Sequence, residues 1–174
     1  MNSRQKQLLK TWIAAILWLA LIVTESTNFA SAENTSRFLY PMLHFLFGLG
    51  PEHFAMWHAL IRKSGHFVGY FMLSLLFFRA WRATLPFPGM SWASQWARIA
   101  FFMTAFVACL DEWHQTYLPK RTGNLHDVLL DSTAALLAQL ALFVFLRRQG
   151  LTKTYSRIRP LQKMWRSMSR PCSR

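Results

Sequence analysis

Four runs of the chain approach the length of a lipid bilayer in apolar residues: about 8–24, 65–82, 96–115 and 126–146. A spanning helix needs roughly 17–25 such residues. In lipid a segment must satisfy its own backbone polar groups, which a helix does and a lone strand does not. The pattern therefore predicts an all-α integral membrane bundle of four transmembrane helices. A fifth apolar stretch, FLYPMLHFLFGLG at 38–50, is too short to span and contains Pro41. It reads as an interfacial or re-entrant half-helix between spans 1 and 2. Gly50-Pro51 would end it and open the next helix, because proline suits a first helical position. One domain is expected over 1–146, followed by a tail at 147–174.

The charges decide the orientation. The chain carries twenty basic residues against seven acidic ones, a net charge of +13. With the N-terminus inside and four crossings, fifteen basic residues fall on the inner side with no acid among them. Every acid then falls on the outer side: Glu25, Glu33, Glu52, Asp111, Glu112, Asp127 and Asp131. Basic residues in short loops favour the cytoplasm, so both termini are expected there, in an inner (plasma) membrane. The basicity reports topology and attraction to anionic lipid at the cytoplasmic tail. It excludes a nucleic-acid partner, for which the chain, 53% hydrophobic, is too apolar. Arg4, Lys6 and Lys10 ahead of an apolar run, with Ala30-Ser31-Ala32 after it, also fit a signal peptide cleaved after Ala32. The length of the run and its Trp12 and Trp18 favour a retained span.

At about 100° per residue, Tyr70 and Ser74 fall within about 20° of Lys63 on the second span, and His66 lies about 60° aside. Gly65 and Gly69 lie nearby and would permit close packing. On the third span Thr104, Asp111 and Gln115 share a face, with His114 beside it. On the fourth, Asp127 and Asp131 are four apart, and Ala134 and Ala138 continue their stripe inward. All three stripes end at the outer face. Asp131 sits about one turn inside Asp127 and should face the bundle, since a carboxylate in lipid costs roughly 2.5–3.5 kcal/mol near a helix centre. Arg62, Lys63 and Arg121 are the available counter-charges.

The segments IRKSGHFVGYFMLSLL and DEWHQTYLPKRTGNLHDVLLDSTAALLA together resemble the VanZ-like membrane proteins. Lys63, His66 and Tyr70 match the family's basic-x-x-His-Phe-x-x-Tyr helix start. Asp111, Glu112, His114 and Gln115 match Asp-Glu-x-His-Gln, and Arg121 and Asp127 match the Arg and Asp-Val that follow. Asp131 stands where the family often has Asn. Pro119-Lys120-Arg121 replaces the common Pro-Gly-Arg, and Ala134-Ala135 stand where a Gly is common. The resemblance covers about 58–140. It implies a cell-envelope protein in a family named for reduced susceptibility to the glycopeptide teicoplanin.

The polar cluster expected from these stripes comprises Arg62, Lys63, His66, Tyr70, Asp111, Glu112, His114, Gln115, Arg121, Asp127 and Asp131. Its cations suit a phosphate or carboxylate, so its expected partner is a membrane lipid, a lipid-linked envelope molecule or a lipid-like antibiotic at the outer leaflet. The alternative is a membrane-embedded acid/base or metal-dependent hydrolase of a lipid-linked substrate, using His66, His114 and His126 with Asp111, Asp127 and Asp131. The chain has no His-Glu-x-x-His, no Cys/His pair at zinc spacing and no Gly-x-Ser-x-Gly. Neither a metal nor another cofactor is therefore expected. A transporter would need a homodimer, because the polar stripes stop near one face.

Overall fold

The computed structural model describes the backbone of residues 1–27, 32–87, 90–119 and 123–168, with side chains up to Arg148 apart from those of residues 32 and 33. Among the described residues there are five helices and no strands. They are α1 (Ser3–Ser26), α2 (Ala32–Phe47), α3 (Pro51–Thr84), α4 (Ser94–Gln115) and α5 (Leu125–Met168). The all-α expectation holds. Two helices are long and apolar enough to cross a membrane: α1, and α5 over Leu125–Arg148.

The boundaries follow local chemistry. Asn2 N–H donates to Gln5 Oε1 at 2.9 Å, closing the first turn of α1. The short stretch before Gly50 is a helix of 16 residues with Pro41 inside it. It ends at Gly48, whose φ of 63° is left-handed and whose N–H donates to His44 O at 2.8 Å. That is the helix-end conformation glycine adopts without strain. Gly50 then caps α3, with Pro51 in its first turn as expected.

Two helices run further than the apolar runs suggested. α3 has 34 residues and begins fourteen before the expected span, because nothing after Pro51 breaks a helix. α5 has 44 residues and passes through the position where a separate tail was expected.

α3 is the central helix, packed against each of the other four, while among the described residues α2 touches only α3. Two tryptophans fasten α1 to it. Trp12 Nε1 donates to Thr84 Oγ1 at 3.0 Å and Trp18 Nε1 to Gly69 O at 2.9 Å. Close approach at the glycines is not what permits this. A Cβ on Gly65 would meet nothing within 4 Å, and one on Gly69 would meet only Ile22 at ordinary contact distance. α2 docks through His58, which stacks on Phe54 and lies 2.9 Å from Thr35 Oγ1. Burial, and then the nearby Arg62, hold the His58 imidazole below its usual range.

The packing is small and polar inside, apolar outside. Ala134, Ala135, Ala138, Ala100, Ala108, Ser74 and Thr104 are fully buried, whereas Leu17, Phe102, Phe106, Leu129 and Phe145 are exposed. An aqueous protein rarely leaves so much apolar surface uncovered. In lipid, small residues are what let helices approach each other.

Candidate functional site

The site is built where α3, α4 and α5 meet. Asp111 lies one turn before the end of α4 and is buried. Its Oδ2 accepts from the Tyr70 hydroxyl of α3 at 3.0 Å and from Gln115 Nε2 at 3.3 Å. Gln115 Nε2 also reaches Glu112 Oε1 at 3.3 Å. Glu112 is buried too, and its Oε2 accepts the backbone N–H of Asn124 at 2.9 Å. Asn124 thereby ties the α4–α5 connection over the end of α4. It also caps α5, since its Oδ1 accepts the His126 N–H at 3.0 Å.

Gly123, just before it, needs its missing side chain. A Cβ there would collide with the Glu112 carbonyl and would lie 2.6 Å from Thr116 Cγ2.

Asp131 completes the group from α5. It is 0% exposed, and neither carboxylate oxygen has a hydrogen-bond partner among the described residues. His66 Nδ1 stands 3.5 Å from its Oδ2, within ion-pair reach but without a hydrogen bond. The His66 ring stacks on Tyr70 with centroids 6.3 Å apart. One donor atom each from His66, Asp111 and Glu112 lies within 4.8 Å of the other two, a separation at which they could share a metal ion. A cavity of about 20 Å³ approaches His66 and Tyr70 from the α1 side, lined also by Ser26, Gly65 and Gly69. A water molecule needs about 10–15 Å³ by such a measure.

The expected residues divide in two. His66, Tyr70, Asp111, Glu112, Gln115 and Asp131 come together. Lys63 and His114 are exposed, Arg62 is half-buried, and neither Arg62 nor Lys63 pairs with a carboxylate among the described residues. Asp127 is half-buried in the first turn of α5. His126 is exposed against Asn124, its Nδ1 3.0 Å from Oδ1. Arg121 lies outside the described residues. The described core of the cluster is thus acidic, not cation-lined.

Two features are absent from the sequence pattern. One is the Asn124 backbone bond, invisible in any arrangement of side chains. The other is a buried bridge one turn below the cluster. Gln139 Nε2 donates to Ser74 Oγ at 2.7 Å and to Ser74 O at 3.1 Å, and Ser74 Oγ donates to Ala135 O at 3.2 Å. A lone amide such as Gln139 in an apolar run is a signal that could have found it.

No curated protein and no solved structure matches the chain. A model of the VanZ/LLP1 family matches residues 11–147, which contain every member of the cluster. The match covers most of the chain, including both halves of the motif on which the resemblance rested. The chain belongs to the VanZ/LLP1 family.

Proposed function

We propose that this is a multi-pass inner-membrane protein of four spans, formed by α1, α3, α4 and the first part of α5, with both termini cytoplasmic. Its outer-end cluster engages the head group of an envelope lipid or of a lipid-bearing glycopeptide. α2 lies along the outer surface, and the basic end of α5 rests among anionic lipids. The segregation of all seven acids to one end supports the orientation.

The observation that carries the binding role is Asp131. A fully buried carboxyl group whose oxygens have no hydrogen bond among the described residues, with the His66 ring at ion-pair distance, carries a desolvation cost. A residue that merely ended a helix at the head-group level would sit in water and carry no such cost. Arg62 and Lys63, within about one turn of His66 on α3, stand where a head-group phosphate would meet them.

Topology is tested with cysteines introduced at Asn34, at the exposed Tyr117 in the α4–α5 connection, and at Gly89. An impermeant thiol reagent added to whole cells, or to spheroplasts if an outer membrane is present, should label the first two and spare the third. Labelling at Gly89 alone reverses the orientation.

Ligand class is tested by expressing the protein in a susceptible host. Sensitivity should change more for lipid-bearing glycopeptides than for soluble ones, because the lipid chain places the drug at the outer leaflet. His66→Ala and Glu112→Ala should each abolish the difference while the protein still inserts. Unchanged sensitivity with normal insertion removes the antibiotic from the reading.

A further inference from the structure

We propose that the cluster is a divalent metal site, in which His66, Asp111 and Glu112 ligate one transition-metal ion and Asp131 orients His66. This goes beyond the head-group reading and does not depend on it.

Three independent features meet here. The first is the donor set: one donor atom from each of the three residues lies within 4.8 Å of the others, and both carboxylates are buried. At that upper limit a centred ion would lie about 2.8 Å from each donor. Side-chain rotations that move each donor inward by about 0.6–0.8 Å bring it to the roughly 2.0–2.2 Å of nitrogen and carboxylate bonds to zinc.

The second is Asp131, wholly buried, with both oxygens lacking a hydrogen bond among the described residues and Oδ2 facing His66 Nδ1. A metal-bound histidine almost always gives its other ring N–H to a carboxylate, which fixes the tautomer and turns the free nitrogen to the ion. With Asp131 on the Nδ1 side, Nε2 is left as the ligating nitrogen. Bond formation would polarise the ring and draw Nδ1–H toward Asp131, closing the present 3.5 Å gap.

The third is charge. Three carboxylates converge with no lysine or arginine paired to them among the described residues. A divalent ion neutralises that field in a way a neutral head group does not.

The surroundings are ordered for ligation. Tyr70 and Gln115 hold Asp111, and Gln115 with the Asn124 N–H holds Glu112, so both carboxylates are fixed by outer partners. The cavity beside His66 and Tyr70, about 20 Å³, admits a metal-bound water. One imidazole with two carboxylates suits zinc, manganese or iron(II) better than calcium or magnesium, which prefer all-oxygen sites. Motif spacing could not have announced this set, because its donors come from two helices and its orienting residue from a third.

The test uses the full chain purified in detergent, stripped with chelator and dialysed against Mn²⁺ or Zn²⁺ alone. The expected result is saturable uptake of about one ion per chain, with Zn²⁺ displacing Mn²⁺. Mn²⁺ bound to the wild type should show the spin-echo modulation of one imidazole nitrogen, which His66→Gln loses. Asp131→Asn should weaken binding about 10–100-fold, the usual effect of removing an outer-shell partner. Glu112→Gln should weaken it at least as much, and Glu52→Gln, on the exposed first turn of α3, should bind as the wild type does. Helical content by circular dichroism and a monodisperse elution profile establish that each variant is folded. Absence of saturable uptake, or equal uptake by all the variants, overturns the proposal. Either outcome leaves the head-group reading to the sensitivity assay, which needs no metal measurement.

Discussion

Replacing Ser74 with Leu should unfold the bundle at lower denaturant than any other single change in its interior. Ser74 is fully buried where α3 meets α5, and its hydroxyl lies between Gln139 and the Ala135 carbonyl. Alanines at 134, 135 and 138 leave the seam no slack. Three extra carbons there overpack the interface, at a cost of about 1–3 kcal/mol. The Gln139 amide also loses a side-chain acceptor while still buried, for about 1–3 kcal/mol more. The sum is roughly 2–6 kcal/mol. Ser74→Ala removes the hydroxyl without adding volume and should cost only the hydrogen-bond part, about 1–3 kcal/mol. Loss of helical signal during titration with a denaturing detergent reads both. Equal midpoints for the two variants would mean that α3 and α5 do not meet at this seam.

The second large effect has the opposite sign. With metal removed, Asp131→Asn should make the protein more stable. The native carboxyl group is desolvated and has no hydrogen bond among the described residues. The amide that replaces it is isosteric and neutral. Relief of a buried charge is worth about 1–3 kcal/mol here, by analogy with buried ionic groups replaced by neutral ones. Each kcal/mol raises the midpoint by about 2–4 °C in a chain of this size. The same variant should lose the glycopeptide effect, because stability and function are opposed at a site held in an unfavourable state. Asp127→Asn is the contrast. Asp127 is half-buried in the first turn of α5, where its charge favours the helix dipole, so its loss should cost about 0.3–1 kcal/mol. A drop in midpoint for Asp131→Asn under these conditions would mean that its carboxylate is paired in the native protein.

Both results turn on burial, which is only partly legible in the order of the residues. Helical periodicity places Asp111 and Gln115 on one stripe and Tyr70 on another, and the fold joins them across 41 residues of chain. The same wheel puts Lys63 beside Tyr70, yet Lys63 is exposed and Tyr70 is buried. A wheel ranks residues by angle around a helix axis and says nothing of how far along the axis the neighbouring helices reach. Lys63 lies about two turns beyond Tyr70, past the point where α4 and α5 close over the site. Asp127 and Asp131 share one stripe for the same reason, and one turn of rise separates a half-buried residue from a wholly buried one.

By itself the sequence determined that the chain is helical and where α1 and α4 lie, and its charge order carries the expected orientation. Those properties follow from apolar run length, turn residues and charge order, all of which are local. Only the tertiary structure decided which charges are buried and which donors converge: His66 against Asp131, Glu112 under Asn124, Gln139 onto Ser74. Each of these contacts depends on the rotation and offset of one helix against another. That rotation is set by the summed packing of small residues along whole interfaces, which no window of sequence contains.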